Sequence, residues 1–431
     1  MDNDVRPVKR PTQSLRASID ARNQTTPTPA DPTFQTPDEV AASDDIEQPA
    51  TLVEQVNTEL PADASKPKQP PTSWKTKLKL SWPPGKKEWI VLGVALLLIG
   101  GGLTWALTHH TKPVVRAVAV KAKPKAPPQP TTVPSNLTGL PVNPAVNEGP
   151  ITGVMIENSL AARPQSGLSN AGVVFEAIAE GGVTRFLALF DNQGPNSLGP
   201  VRSARPYYVQ WAMGFDAGYA HVGGSPDALA DIRSWGVKDL DQFANGGSYT
   251  RISSRDAPHN VYTSMTALNE LEAKKGYGKS NFTGFVRKAK EQAAKPPTAR
   301  SIDFTMSGPL YNVHYDYNPT FNSYNRSVGG QPHLDANTGK MLSPKVVIAI
   351  VLNLSQGELD ASGAYYSTYQ TTGSGTVYVF QDGTEIAGSW TKVDSKSQIT
   401  FADSSGKPLP LNPGQTWITA VSDTSKVSSA P

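Results

Sequence analysis

Arg202, Ser203 and Arg205 stand in Gly199-Pro-Val-Arg-Ser-Ala-Arg-Pro206, directly before a proline that can open a helix. Guanidiniums clamp phosphate or carboxylate through paired N–H donors, and the free N–H groups of a helix start favour the same charge. A second segment of this type follows His221-Val222: Gly223-Gly224 lets backbone approach closely, and Ser225 opens the next predicted helix. If the strands leading into them are neighbours in one sheet, both helix starts face one crevice at the strand ends. The chemistry expected is recognition of an anion. The same arginines also have Glu157, Glu176 and Glu180 as available partners, and then they only tie loops together.

Acid–base candidates surround this segment. Glu176 and Glu180, four apart on a predicted strand and its exit, are a carboxylate pair of the kind that divides acid and base roles in glycoside cleavage. One of them can equally serve as a buried partner of Arg185. His221 is a candidate base for Ser203 or Ser225, but Ser225 is already accounted for as a helix cap, and no Gly-x-Ser-x-Gly elbow is present. Arg255-Asp-Ala-Pro-His-Asn260 adds Arg255, His259 and Asn260 as candidates for orienting a ligand. Turns of this composition also bond their own backbone. His221, His259, His314 and His333 show no helical metal-ligand spacing, so no metal is expected. No cofactor is called for either.

The elements that must position these groups read as an α/β (or α+β) part followed by a smaller, mostly β part. Ile151–Glu157, Gly172–Ala179, Thr184–Phe190 and Ala217–Val222 have strand composition. Helices are predicted from Pro206, from Ser225 to a stop at Gly236, and from Thr263 to Gly276. Beyond Arg300 the pattern changes to short strands: Tyr311–Tyr317, Val346–Leu352, Thr376–Gln381, Glu385–Trp390, Gln398–Phe401 and Thr416–Val421. Asp382-Gly383 is a hairpin signal. Gly329–Asp335 reads as a turn cluster, and Trp390 and Trp417 as filling of a small core.

The N-terminal third is of another kind. Ile90–Leu107 is an uncharged apolar run of about the length that crosses a hydrocarbon core, with Trp89 and Trp105 near its ends. Residues 1–88 are Pro-, Thr- and Asp-rich and read as a disordered cytoplasmic tail, 89–107 as a transmembrane helix, and 108–136 as a Pro/Lys/Ala linker. The folded parts are expected at 137–298 and 299–425. Flanking lysines place the N-terminus inside by a small margin. The localisation expected is therefore a single-pass plasma-membrane anchor with the folded parts extracytoplasmic. Of 431 residues none is Cys, which excludes disulfides, thiolate metal sites and a lipid-modified cysteine. A formal net charge of +3 gives no electrostatic case for nucleic acid.

With these segments in view, the chain resembles the YerB-type family of bacterial envelope lipoproteins. The resemblance rests on Leu137–Val142 (LTGLPV), Ala162–Phe190, Gly199–Tyr208 (GPVRSARPYY), Ala220–Pro226 (AHVGGSP) and Ser253–Thr263 (SSRDAPHNVYT). Gly329–Gly339 and Leu411–Ile418 extend it, so that it covers roughly residues 137–425. It implies a bacterial source and a two-domain extracytoplasmic protein. It supplies no established reaction, so no catalytic role is carried over. Members often begin with a lipobox Cys; here the apolar run would be the anchor instead. In layout, one anchor, an exported α/β domain and arginines about a phosphate-sized pocket, the chain is also similar to the LytR-CpsA-Psr envelope transferases, an analogy only.

The function expected is that of an envelope protein binding an anionic wall component, such as a wall or polyprenyl-phosphate glycan, or a wall-synthesis protein. The alternatives are an enzyme on lipid-linked or wall glycans and a purely structural role.

Overall fold

The computed structural model describes residues 131–359 and 365–431, together with Gly93, Leu97, Leu98, Gly101, Thr104 and Trp105, all helical. The expected tail, most of the expected span and the linker up to residue 130 lie outside the described residues. Among the described residues no helix is long and apolar enough to cross a membrane. The body from residue 131 onwards belongs to a unit of its own.

After a two-residue pair, Val133–Pro134 with Pro141–Val142, come three strands that are largely apolar runs, the composition of strands covered on both faces. β1 (Thr152–Glu157), β2 (Val173–Ile178) and β3 (Thr184–Phe190) are buried almost throughout. α1 (Pro206–Met213) begins with proline in its first turn. β4 (Gly218–Ala220) leads to α2 (Pro226–Trp235), which is capped by the Ser225 hydroxyl accepting from the Ala228 N–H and stopped by Gly236. Gly236 has φ +68, the left-handed conformation that closes a helix and that glycine adopts without Cβ strain. β5 (Lys238–Asp239) follows, and α3 (Met265–Lys275) starts one residue later than expected, with Ser264 as cap.

The later residues add β6 (Ser301–Phe304), β7 (Val313–Asn318), β8 (Ser323–Val328) and β9 (Gln331–Pro332). They continue with β10 (Val346–Val351), β11 (Gly373–Gln381), β12 (Thr384–Lys392), β13 (Thr400–Asp403), β14 (Thr416–Val421) and β15 (Val427–Ala430). Asp382 and Gly383, both at positive φ, make the expected tight turn between β11 and β12.

Ten strands form one sheet in the order β13-β12-β11-β10-β14-β2-β3-β1-β4-β5. Both expected parts contribute to it. β14 lies parallel to β10 on one side and to β2 on the other, pairing Ile418 with Ile348 and with Phe175. On one face pack α1 and α2, with Phe175, Leu187, Trp211 and Ile348 in a common core. The other face carries α3 and a five-stranded antiparallel sheet, β9-β8-β7-β6-β15, with Phe186, Leu268, Ile302 and Trp417 between them.

The two-part layout fits, but in the first part helix and strand alternate only over α1-β4-α2-β5, where β4 lies parallel to β1 and to β5. From residue 131 onwards the described chain is mostly β, with three α-helices. No α-helix separates β1, β2 and β3: the chain between β1 and β2 is taken up by turns and single 3-10 turns, and β2 turns back directly into β3, which pairs antiparallel with both.

Candidate functional site

Backbone bonds lay the Arg202–Arg205 segment between the end of β1 and the turn after β4. Arg202 N–H donates to Met155 O at 2.9 Å, and Val222 N–H donates to Arg202 O at 3.0 Å. Ala204 and Gly224 form a parallel bridge, so the starts of α1 and α2 do lie side by side. Beside each start, however, a carboxylate of the protein itself takes up the Arg205 side chain or the Gly223 N–H. Arg205, the N-cap of α1, is buried and donates to Glu180, whose other oxygen is 2.7 Å from Arg185 Nη2. Arg185 in turn donates from Nη1 to Ser203 O at 3.2 Å. At the second start, Gly223 N–H donates to Asp241 Oδ1 at 2.8 Å, and the Ser225 hydroxyl is taken by the cap.

The three acid–base candidates are enclosed. His221 is fully buried, with Nδ1 2.7 Å from Gly223 O and Nε2 3.1 Å from Asp239 Oδ1, and it braces the Gly-Gly turn. Glu180 sits in a 3-10 turn after β2 rather than on the strand, between its two arginines. Glu176 points into the core. Arg326 Nη2 donates to both its oxygens, at 3.0 and 2.8 Å, and Trp417 Nε1 donates to Oε2 at 3.1 Å. The partner of Glu176 is thus Arg326, and Arg185 takes Glu180. Trp390 and Trp417 are both buried, as expected of core residues.

The open chemistry gathers instead on Glu157, the last residue of β1. Its side chain is only 3% exposed, yet it holds three partners. Oε2 lies 3.2 Å from Arg202 Nε; Oε1 accepts from His259 Nδ1 and from Ser159 Oγ, both at 2.8 Å. A carboxylate on Nδ1 orients the imidazole and sets its tautomer, leaving Nε2 as the working atom. Nε2 has no partner among the described residues, and the ring is 26% exposed.

His259 lines an open cleft of about 440 Å3 with Ala161, Arg163, Ser254, Arg255 and Asp256. Arg255 donates to Ala161 O, and from Nη2 to Pro164 O at 2.8 Å. Arg163 donates from Nε to Asn158 Oδ1 at 3.0 Å, and from Nη2 to Asn158 O and Leu310 O at 3.1 and 3.0 Å. These acceptors are neutral, so they orient the two guanidiniums without cancelling their charge. Burial lowers the pKa of Arg163, opposed by Tyr311 and Glu176. Burial likewise lowers that of Arg202, opposed by Glu157. Guanidinium nevertheless remains cationic at neutral pH. Asn260 faces away, accepting from Arg251 Nη1 at 2.7 Å.

Behind the cleft runs a buried polar chain that the expected turn cluster at Gly329–Asp335 did not anticipate. Arg326 Nε donates to His333 Nδ1 at 2.9 Å, so His333 donates from Nε2 to Gln165 Oε1 at 2.8 Å. Gln165 Nε2 donates to Glu157 O and Asn158 Oδ1, both at 2.9 Å. Burial, with the adjacent Arg326, holds His333 well below the ordinary histidine range, so it is neutral. The Arg326 guanidinium also lies 4.4 Å from the Trp417 ring centre. A signal for this was present: in Tyr324-Asn-Arg-Ser-Val328 the arginine occupies the inward, apolar phase of a period-two strand. Among the described residues no group of three or more His, Asp or Glu is arranged to hold a metal.

Known families match both halves of this arrangement. The model of the DUF3048 N-terminal domain, a protein family of unknown function, matches residues 137–278, which contain Glu157, Arg163, Arg255 and His259. The DUF3048 C-terminal domain matches residues 302–418, which contain Arg326, His333 and Trp417. YerB of Bacillus subtilis (strain 168), a candidate lipoprotein by its description, is 34% identical over 290 residues, 67% of this chain and 86% of the relative. The crystal structure of Bacillus subtilis YerB superposes with a TM-score of 0.61 at 32% identity, covering 69% of this chain and 100% of that one. A segment of this kind therefore folds by itself. By these matches the chain belongs to the two-part, YerB-like DUF3048 family.

Proposed function

We propose that this is a cell-envelope protein, anchored by the apolar run Ile90–Leu107 with its folded part outside the cytoplasm, that binds an anionic wall component in the Arg163–Arg255–His259 cleft. One observation carries the reading: both cleft arginines bond neutral carbonyl and amide oxygens, so their charges are left for a ligand. Asp256 is the single carboxylate among the six lining residues, and it is exposed. The envelope setting rests on the candidate lipoprotein YerB.

Calorimetric titration of the 131–431 segment with inorganic phosphate and with purified wall polymer tests this. Arg255→Gln is expected to weaken binding by roughly tenfold, the effect of losing one charge-assisted contact of about 1.4 kcal/mol. Affinity should also fall as salt is raised. Unchanged affinity in Arg255→Gln would remove the proposal.

The Glu157–His259 pair favours a second reading, an enzyme that moves a proton at His259 Nε2 on a bound glycan or phosphoester. Released fragments detected by mass spectrometry from wild type, absent from His259→Gln with binding retained, would select it.

A further inference from the structure

Beside the polar cleft lies a second cavity of about 280 Å3 with apolar walls: Leu160, Pro164, Val328, Pro332 and Leu334. Arg163 lines both. The two share a ridge as well, since Leu160 faces the groove and Ala161 the cleft, while Arg255 grips Ala161 O on one side and Pro164 O on the other. Besides Arg163 its polar lining is Gln331, which is exposed and keeps its amide in water, and His333, both of whose ring nitrogens are spent on Arg326 and Gln165. Leu160 is 55% and Leu334 38% exposed, apolar surface at the rim that nothing in the fold covers.

From this juxtaposition we infer that the ligand is a phosphorylated amphiphile. Its anionic head sits between Arg163, Arg255 and His259, and its apolar chain lies along the groove formed by Leu160, Val328 and Leu334. The inference rests on the anion-binding reading above and adds the second half of the ligand. Charge complementarity fixes the polarity: the cationic end of the combined cavity is Arg163 and Arg255, and the apolar end begins at the same Arg163 side chain. A free anion would use only the first cavity and a neutral lipid only the second. The groove receives Leu160 and Pro164 from the first family segment and Val328, Pro332 and Leu334 from the second, so the site needs both.

The test titrates the 131–431 segment with three probes: inorganic phosphate, and, below their micelle concentrations, dodecyl phosphate and the uncharged dodecyl maltoside. Dodecyl phosphate is expected to bind at least about tenfold tighter than phosphate, since burying even two methylenes supplies that factor. The double variant Leu160→Asn/Leu334→Asn changes only rim side chains; it should lose the added affinity for dodecyl phosphate and keep that for phosphate. Thermal melting of the variant checks that the fold is intact. Equal affinity for phosphate and dodecyl phosphate, or equal affinity for dodecyl phosphate and dodecyl maltoside, overturns the amphiphile while leaving the fate of the anion cleft to the phosphate titration. Absence of binding by both phosphate compounds overturns the anion reading and this inference together.

Discussion

Arg326 is the side chain on which most of the interior polar structure depends. It is fully buried, paired with Glu176, and bonded to Tyr315 OH at 2.6 Å and to His333. Replacing it by Met leaves the Glu176 carboxylate without compensation in an apolar core, at a cost of roughly 3–5 kcal/mol. Urea denaturation of Arg326→Met should show this loss, and Glu176→Gln in the same chain should restore part of it. A stability equal to wild type would mean the pair is dispensable. Glu272 makes the complementary case of a buried acid in no ion pair among the described residues, with Lys238, itself paired to Asp216, acting on it only at longer range. Its carboxyl is pushed up to about 8 by burial, although the Thr152 hydroxyl donates to Oε1 at 3.1 Å. A Cβ on Gly218 would collide with that oxygen, so the close fit is built in. The folded state keeps the proton that the unfolded state loses near pH 4.5. Stability is therefore greatest below pH 4.5 on this account and falls as pH rises towards 8. Glu272→Gln should flatten that slope and gain roughly 2–4 kcal/mol at pH 8, read from denaturant midpoints across pH 5–8.5.

Helix ends were the most legible feature in the amino-acid sequence because their determinants are local. Pro206, the Ser225–Pro226 start and the Gly236 and Gly276 stops all lie where the structure has them. Ser225 separates two roles that the residue type alone leaves open. Its hydroxyl accepts from Ala228 N–H, so Ser225→Ala should cost about 1 kcal/mol by loss of the cap. Phosphate affinity of the segment should stay the same, because Ser225 does not line the cleft; a drop would move the ligand to the α2 start. The site itself was less legible. Arg202, Arg255 and His259 stood among the residues expected to bind, but the meeting of His259 with Glu157 joins positions 102 apart, a register that no local signal carries. Arg163 was passed over since its sequence neighbours, Ala-Ala and Pro-Gln, resemble any loop. At the two anticipated anion sites the chain supplies acids of its own, Glu180 on the Arg205 side chain and Asp241 on the Gly223 N–H, and no local pattern announces either partner.

The ten-stranded sheet makes the two family segments one folding unit. With β14 between β10 and β2, and the Glu176–Arg326 pair crossing from one segment to the other, neither half has a complete sheet or core alone. Calorimetry of the 131–431 segment should show a single transition with calorimetric and van't Hoff enthalpies in agreement. Residues 131–298 expressed alone should be insoluble or lack fixed tertiary structure; a soluble half with its own cooperative melt would show the sheet to be divisible. The same geometry explains why the apolar groove escaped sequence reading. Leu160 and Leu334 meet only when both segments are docked.

The place of β14 also has a consequence for synthesis. Glu176 precedes Trp417 by 241 residues. At about 5–20 residues per second, the β2 edge that Trp417 and its neighbours will cover waits on the order of ten seconds or more after it leaves the ribosome. Throughout that interval the first half is an open template for any other extended chain. A message cut short before the codon for Thr416 leaves the template open for good, so its product is expected to be a seed for association with sister chains as well as a missing protein.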